Sequence, residues 1–353
     1  MQWAKLSSAA TYNLAGSGMA PYPLAKLGSL DGLAINGPDS YGYPPLVDAI
    51  AQRFGVPGEC VLTSAGTAMA NHLALAATTE PGDEVLVERP TYELLLSTAK
   101  YLGLKVNRFQ RPFSAGFRPD LDDLVRRLTP KTRLVVLTNL HNPSGALMTS
   151  EVVQEIGKLA AKVGARVLVD EVYLETLYGA RPPTAFRIDP ERFIVTSSLT
   201  KGYGMSGLRC GWVFAAKTLV DRMWAINDLY SATPVFLGEQ LSVVAFRDLD
   251  RIGREMKQTL EANRKLLMDF YAGRRDLEVV RPDHGTVSFP RLLSGSTERL
   301  LELLRREFET SVVPGSFFES PQHFRVGNGS ETADVRAALE HLGQGLDRFA
   351  SKE

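Results

Sequence analysis

Residues 134–173 read LVVLTNLHNPSGALMTSEVVQEIGKLAAKVGARVLVDEVY, and their pattern is the clearest indication of the fold. Two short runs rich in branched apolar residues, 134–138 and 166–170, stand at its two ends. Runs that are apolar throughout are typical of strands buried on both faces. The segment between them has helical periodicity, so the sequence predicts a strand, a helix and a second strand parallel to the first.

The helix between these strands has recognisable ends. Ser150 is of a type that caps helix amino termini, and Gly164 suits the left-handed conformation in which helices often end. Apolar residues recur at helical spacing between the two and form one stripe. They are Val152, Ile156, Leu159 and Val163. The stripe predicts that one side of this helix packs on the sheet.

The same alternation extends from about Ser64 to Ala215, with further strand-like runs at 84–88 and 193–197. Alternating strands and helices favour an α/β fold whose mostly parallel sheet is covered by helices. A different pattern begins near Leu249 and predicts a smaller α+β domain. Its predicted elements are a helix over 249–275, strands at 278–280 and 286–289, and helices at 297–308 and 332–349.

The composition argues against several classes of function. The 353 residues include 40 Lys plus Arg and 40 Asp plus Glu, so no net positive charge favours nucleic acid. The amino terminus lacks the apolar core of a signal peptide, and no later stretch is long enough to span a bilayer. Two cysteines, Cys60 and Cys210, are too few for a disulfide framework and fit a reducing compartment. We therefore expect a cytoplasmic protein that binds neither membrane nor nucleic acid.

Polar side chains follow three of the predicted strands. Asn142 follows the first, Asp170 and Tyr173 follow the second, and Ser198 and Lys201 follow the third. Ligands of open α/β sheets bind at the carboxyl ends of the strands, because helix amino termini and loop amides converge there. Taken singly, these residues have simpler explanations: an Asn-Pro turn, a carboxylate that caps a loop or pairs with an arginine, and a surface lysine.

Another polar segment, SAGTAMANHLALAA, places Ala65, Gly66 and Thr67 where a helix almost free of charge begins. Free amides and the helix dipole at such a terminus bind phosphate. A buried helix that needs small residues for packing is the favoured explanation when this segment is taken alone.

Together, however, the segments resemble the class I and II aminotransferases, which are fold-type I enzymes that use pyridoxal 5'-phosphate. Eight motifs carry this resemblance over nearly the whole chain, in the order of the family. They are NLAGSG (13–18), YGY (41–43), SAGT (64–67), PGDEVLVERPTY (81–92), NLHNPSG (139–145), VLVDEVY (167–173), SSLTKGYGMSGLRCGW (197–212) and VPGSFFESPQHFRVGNG (313–329).

The resemblance implies a large domain, with a mostly parallel seven-stranded sheet between helices, and a smaller α+β domain. It implies an N-terminal arm, together with part of the small domain, over residues 1–39. The domain that binds pyridoxal phosphate is expected over 40–250, and the C-terminal small domain over 251–353.

The resemblance also implies roles for the residues at the strand ends. Lys201 carries the cofactor as a Schiff base and then moves a proton as the general base. Asp170 faces the pyridine nitrogen and keeps it protonated, which makes the ring an electron sink. Tyr173 and Asn142 hydrogen-bond the phenolic oxygen of the ring, and Tyr92 stacks on the ring face.

For the cofactor phosphate, the resemblance implies a site built from the SAGT turn and two more distant residues. Gly66 and Thr67 supply amides and a hydroxyl, and Ser198 and Arg209 complete the site. Ala65 stands where some relatives have a hydroxyl residue, so we expect one phosphate hydrogen bond to be missing.

The substrate and a second subunit are expected to complete the site. Arg325 corresponds to the arginine whose planar fork binds the substrate α-carboxylate, and Asn142 and Gly18 are expected beside it. Tyr41 is expected to reach the phosphate of a neighbouring subunit, which would make the active unit a homodimer. No metal site is expected. No motif locates the second arginine of the dicarboxylate-specific members, so aspartate specificity is unsupported.

Three functions compete. The resemblance favours an aminotransferase that moves an amino group from an amino acid to a 2-oxo acid. A carbon–sulfur β-lyase or a decarboxylase on the same fold is an alternative that no residue excludes. A regulator that only senses pyridoxal phosphate is a remote alternative, because such proteins carry a DNA-binding domain before this fold and the arm motif here begins within about fifteen residues of Met1.

Overall fold

The computed structural model describes residues 2–6, 8–179, 182–281 and 283–351. The strands are β1 (Tyr12–Asn13), β2 (Val61–Ala65), β3 (Glu84–Arg89), β4 (Lys105–Gln110), β5 (Thr132–Thr138), β6 (Arg166–Asp170), β7 (Phe193–Ser198), β8 (Cys210–Phe214), β9 (Leu277–Glu278), β10 (Val287–Ser288), β11 (Arg291–Leu292), β12 (Thr310–Ser311), β13 (Val313–Pro314) and β14 (Phe324–Gly327). The α-helices are α1 (Gln2–Leu6), α2 (Pro44–Phe54), α3 (Thr67–Thr78), α4 (Glu93–Tyr101), α5 (Leu121–Arg127), α6 (Ser150–Ala161), α7 (Lys217–Ser231), α8 (Phe236–Arg247), α9 (Leu249–Ala272), α10 (Thr297–Phe308) and α11 (Thr332–Ala350).

The large sheet has seven strands within the described ranges, in the order β2-β8-β7-β6-β5-β3-β4. The five strands from β7 to β4 pair in parallel with one another. In this sheet β8 runs antiparallel to both of its neighbours, β2 and β7. The predicted α/β class and the mostly parallel seven-stranded sheet are therefore confirmed.

Helices cover both faces of this sheet because its central strands are apolar on both sides. Val135 of β5 belongs to the same buried cluster as Ile156 of α6. Its neighbour Leu134 belongs instead to a second cluster, together with Leu73 of α3. Alternate side chains of a strand point to opposite faces, so one strand contributes to two cores.

The crossover helix α6 begins one residue earlier than the capping argument predicted. Ser150 is its first helical residue, and the extended Thr149 holds the cap position without a side-chain hydrogen bond to the helix. The prediction of Ser150 as the cap was therefore wrong. Ile156 and Leu159 are buried as expected, whereas Val152 and Val163 are half-buried. The prediction of Gly164 as the carboxyl-terminal cap was also wrong, because the helix ends at Ala161 with Lys162 as its cap, and Gly164 has its positive φ of 77° two residues after that cap.

The edge strand β4 was harder to predict than the centre of the sheet. The central runs matched β3, β5, β6 and β7 to within two residues. The sequence of β4 is KVNRFQ. Only Phe109 in it is fully buried, so the strand needs no continuous apolar run. A strand with one covered side lacks the pattern on which the central predictions depended.

The chain beyond Leu249 forms small sheets packed with long helices. β1 pairs in parallel with β12, β14 lies between β10 and β13, and β9 pairs with β11. α10 has the predicted bounds, α11 ends one residue later and α9 ends at Ala272. The mixture of strands and helices agrees with the prediction for this region, whereas the three domain ranges stay predictions.

Two further expectations concern the whole chain. Cys60 and Cys210 are free and buried. Among the helices of the described residues, none combines the length and the apolar character needed to cross a membrane.

Candidate functional site

A cleft of about 710 Å³ opens at the carboxyl ends of β5, β6 and β7 and is closed on the far side by the N-terminal arm and by residues 313–325. Nine predicted site residues line it, although they come from segments far apart in the sequence. They are Thr67, Tyr92, Asn142, Asp170, Tyr173, Ser198, Lys201, Arg209 and Arg325. The convergence expected at this edge of the sheet is therefore present.

Lys201 follows β7 and projects toward the arm. Its Nζ donates a hydrogen bond to Ser17 Oγ at 2.7 Å and lies 5.9 Å from the ring centre of Tyr173. Gly18 lies beside the same lysine, and a Cβ there would be 3.3 Å from Lys201 Cα and Cδ. Glycine thus lets the arm approach the lysine closely. Gly18 itself does not line the cleft.

Asp170 ends β6 as a buried carboxylate. One oxygen accepts a hydrogen bond from Asn71 Nδ2 at 2.8 Å, and the other accepts one from the backbone N–H of Val172 at 3.1 Å. Burial raises the pKa of this carboxyl to about 6, and these hydrogen bonds and the charge of Lys201 oppose the shift. The carboxylate forms no ion pair within the described chain, so it can face a cationic group of a ligand.

Asn71 was missed by the sequence analysis. It lies one turn after Thr67 on α3 and is buried. Its Oδ1 accepts a hydrogen bond from Thr196 Oγ1 at 2.6 Å, which leaves its amide N–H groups to donate to Asp170. The signal was the i, i+4 spacing from Thr67, which puts both side chains on one face of the helix.

The turn between β2 and α3 forms the other end of the cleft. Gly66 has a φ of 79°, and Thr67 Oγ1 donates a hydrogen bond to Ser198 Oγ at 2.8 Å. Arg209 Nη2 donates to the carbonyl of Ala65 at 2.9 Å and stays partly exposed. Hydroxyls, a guanidinium and the start of α3 thus meet at one point. Ala65 contributes only its carbonyl, and neither it nor Gly66 lines the cleft.

Arg325, on β14, is a buried cation that faces the cleft. Nη1 donates to Asn142 Oδ1 and Nη2 to the carbonyl of Ala15, each at 3.1 Å. Nε has no hydrogen-bond partner among the described residues, and the guanidinium lies 5.3 Å from the ring centre of Phe318. Burial lowers the pKa of Arg325, while Tyr173 and Tyr92 oppose the shift. No described carboxylate pairs with Arg325, so its guanidinium can bind an anionic group of a ligand.

The three tyrosines differ in environment. Tyr92 and Tyr173 line the cleft, and burial raises the pKa of Tyr92. Tyr41 lies outside the cleft, exposed, where its hydroxyl donates to Asp228 at 3.2 Å and its ring is tilted against Trp224. Its predicted contact with a second subunit stays a prediction.

Other cleft residues were not singled out from the sequence. Ser17 and Phe318 lie in the motifs 13–18 and 313–329, but the resemblance implied no role for either residue. Thr138 was predicted only as the last residue of a strand. Ser17 contacts Lys201, which lies 184 residues later in the sequence, and no local pattern encodes such a pair.

The donor set fits pyridoxal phosphate. The cleft has an amine at Lys201, a buried carboxylate at Asp170 to face a protonated ring nitrogen, and an aromatic wall at Tyr92. The Thr67, Ser198 and Arg209 cluster has the composition of a phosphate site.

Comparison with known proteins agrees. The family model described as aminotransferase class I and II matches residues 30–342. The chain is 30% identical to the capreomycidine synthase of Streptomyces vinaceus, over 98% of this chain and 90% of that protein. A pyridoxal-phosphate-dependent aminotransferase from Streptococcus suis superposes with a TM-score of 0.92 at 28% identity, covering 99% and 96% of the two chains. The pyridoxal-phosphate-dependent cyclase OrfR superposes with a TM-score of 0.87 at 25% identity, covering 99% and 96%.

The order of the motifs, the sheet topology and these matches all point to the same group of proteins. The chain belongs to the class I and II aminotransferase family, whose cofactor is pyridoxal phosphate.

Proposed function

We propose that this protein is an aminotransferase that moves an amino group from an amino acid to a 2-oxo acid, with pyridoxal phosphate attached to Lys201. The observation that carries the proposal is the arrangement of three groups around one cleft. Lys201, the buried anion Asp170 and the buried cation Arg325 line the same cleft, and neither of the two buried charges forms an ion pair in the described chain. Buried charges are costly unless a partner arrives, so a ligand that supplies both partners fits this cleft.

When bound, pyridoxal phosphate supplies an electron-withdrawing ring that acidifies the α-hydrogen of an attached amino acid. In the proposal, Lys201 Nζ accepts the proton from the substrate Cα and later returns one. The Ser17 hydroxyl, 2.7 Å away, holds this amine at the substrate end of the cleft. Hydrogen bonds from Asn71 and from the Val172 amide to its two oxygens favour the anionic form of Asp170, which would face the ring nitrogen of the cofactor.

Arg325 explains why one cleft can serve both half-reactions. An amino acid and a 2-oxo acid both carry a carboxylate on the reacting carbon, so one guanidinium can orient either. Asn142 Oδ1 and the Ala15 carbonyl hold the two Nη atoms at 3.1 Å and so limit rotation of the fork.

The homodimer belongs to the same proposal. Large apolar side chains are exposed on two segments that touch each other, since Ala34 N donates to Gln240 at 2.9 Å and the Tyr41 hydroxyl donates to Asp228. We name them the 24–41/229–237 surface: Leu24, Leu30, Ile35, Tyr41, Leu229, Tyr230, Val235 and Leu237. Apolar groups concentrated in this way favour a protein partner, and a second copy would bring Tyr41 to a neighbouring phosphate site.

Cyclisation of an amino acid is the second candidate. The similarity to the cyclase OrfR over 99% of this chain, and to a capreomycidine synthase over 98%, favours it. A β-lyase or decarboxylase would use the same lysine and carboxylate. The candidates differ in where the nitrogen goes, since only transamination leaves it on the cofactor.

A half-reaction screen tests this proposal. The purified enzyme, loaded with pyridoxal phosphate, is mixed with each amino acid, and the cofactor spectrum and the products are followed. Conversion to the pyridoxamine form with release of a 2-oxo acid supports the aminotransferase. A cyclic amino acid, carbon dioxide, or pyruvate with a thiol, formed while the cofactor spectrum is regained, would replace it with the corresponding alternative.

Borohydride reduction tests the lysine separately. Reduction of the loaded enzyme should leave a cofactor adduct on the peptide that contains Lys201, and Lys201→Ala should leave none. An adduct on another lysine would overturn the assignment.

A further inference from the structure

We propose that Glu88, Arg111 and Thr138 are positioning residues that fix Asn142 and, through it, the carboxylate-binding fork of Arg325. This inference depends on the proposed role of Arg325 and extends it to three supporting residues, of which only Thr138 lines the cleft. Neither Glu88 nor Arg111 lines the cleft, and neither has a role in the chemistry proposed above.

The three residues form a buried ionic cluster at the end of β3 and β5. Arg111 Nη1 lies 2.7 Å from Glu88 Oε2, and both side chains are 0% exposed. Arg111 also donates to the carbonyl of Phe117 at 2.7 Å and to that of Thr138 at 3.0 Å. Burial raises the pKa of Glu88, and Arg111 and Thr138 oppose that shift. A buried ion pair is often no more stable than apolar residues of the same size, so stability alone gives little reason for it.

The cluster holds Thr138 from both sides. Glu88 Oε1 accepts from the backbone N–H of Thr138 at 2.8 Å and from its hydroxyl at 2.6 Å. Because a carboxylate only accepts, the Thr138 hydroxyl proton must point to Glu88. Its lone pairs are then directed to the backbone N–H of Asn142, which donates to Thr138 Oγ1 at 3.1 Å.

Asn142 connects Thr138 to the cleft. Its backbone is held by Thr138, and its side-chain Oδ1 accepts from Arg325 Nη1 at 3.1 Å. A line of hydrogen bonds therefore runs from Arg111 through Glu88, Thr138 and Asn142 to the guanidinium of Arg325. All of these bonds involve a charged group except the one between Thr138 and Asn142. Loss of the Thr138 hydroxyl should loosen the Asn142 turn and misalign Arg325, while the lysine and the phosphate site stay intact.

The test measures substrate binding without turnover. 2-Aminoisobutyrate has the amino and carboxylate groups of an amino acid but no α-hydrogen, so its Kd can be measured by calorimetry on the loaded enzyme. Thr138→Val keeps the shape of the side chain and removes the hydroxyl, and Thr138→Ser restores the hydroxyl. Thr132→Val is the matched control, because Thr132 is 1% exposed on the same strand and its hydroxyl accepts from the Thr129 amide, away from the cleft.

We expect Thr138→Val to raise this Kd about tenfold, the size of one charge-assisted hydrogen bond. Thr138→Ser and Thr132→Val should stay within about twofold of wild type on the same scale. The positioning role is overturned if Thr138→Val binds 2-aminoisobutyrate as tightly as wild type does. It is also overturned if Thr132→Val weakens this binding as much as Thr138→Val does. Either result leaves the aminotransferase proposal standing. Failure of the wild type to bind 2-aminoisobutyrate overturns both. If Thr138→Val does not fold, Thr138→Cys, with its weak hydrogen-bonding thiol, is compared with Thr138→Ser under the same criteria.

Discussion

Arg325 is a guanidinium held in a buried site by one amide oxygen and one carbonyl, with no anion of the described chain beside it. Arg325→Ala should raise KM for amino acids about 100-fold and leave the Kd for pyridoxal phosphate within about threefold, because a bidentate charge-assisted contact stabilises by about 3 kcal/mol. Steady-state kinetics and cofactor titration measure the two quantities.

Arg325→Lys is the matched variant. It keeps the charge but not the planar fork, so it should recover only part of the lost affinity. Full recovery by lysine would show that geometry is unimportant here, and an unchanged KM in the alanine variant would remove Arg325 from the substrate site.

Asn71 controls the protonation of Asp170 in the cofactor-free protein. Burial has raised the pKa of that carboxyl to about 6, and the hydrogen bond from Asn71 acts against this shift. Asn71→Leu removes the donor, so the midpoint should move above 6 and a larger fraction should be protonated at pH 7. Infrared spectroscopy of the carboxyl band across pH, with Asp170→Asn to identify the band, follows the change. A midpoint that stays or falls contradicts this role.

The sequence predicted the site residues that lie in recognisable motifs. Lys201, Asp170, Asn142 and Arg325 follow apolar runs or lie in recognisable segments, and the structure brings all four into one cleft. Asn71 was missed because a polar residue inside a helix usually faces solvent, and its partner Asp170 is 99 residues away.

Among the elements, the turn from β2 into α3 depends most on one residue. Gly66 has a positive φ, and a Cβ there would clash with the Arg209 guanidinium. Gly66→Ala should therefore displace Arg209 and raise the Kd for pyridoxal phosphate at least about tenfold, because one charge-assisted phosphate contact is lost.

Gly164→Ala separates backbone strain from this clash. Gly164 has a similar φ of 77°, but nothing lies within 4 Å of the added carbon. That variant should lose about 1 kcal/mol of unfolding free energy and keep its affinity for the cofactor. Equal loss of cofactor affinity in both variants would mean that strain, rather than Arg209, explains the effect.

Prediction of elements succeeded where burial is uniform and failed where it is mixed. The central strands are covered on both sides, so their apolar runs are unbroken. β4 alternates exposed and half-buried residues, and β9 to β13 have two residues each, too few for any periodicity. Ser150 and Thr149 are both good capping residues, and the sequence offered no means to choose between them.

At the largest scale, we predict that two copies of the protein associate through the 24–41/229–237 surface. Leu229 on α7 is 79% exposed within the 24–41/229–237 surface, whereas Val125 on α5 is 50% exposed on another element. Leu229→Lys should convert a dimer into a monomer in light scattering, because a charge would have to be buried in the contact. It should also weaken pyridoxal phosphate binding, since the partner's Tyr41 would be lost. Val125→Lys should change neither property, and a wild-type monomer would reject the proposal.

The arrangement of the two parts of the chain was only partly visible in the sequence. The change of pattern near Leu249 predicted where the regular alternation stops, and α9 begins there. No local pattern predicted that the arm joins the C-terminal sheets, because strand pairing across the full length of a chain has no signature in either partner.

That pairing has a consequence for biosynthesis. Tyr12 pairs with Thr310, about 300 residues later, so the ribosome has made every strand of the large sheet before the arm can find its place. The large sheet is free to form on the nascent chain, but the first strand of the arm, β1, gains its partner only when translation is almost complete. Partial translation products would therefore lack the closed cleft even when their sheet is intact.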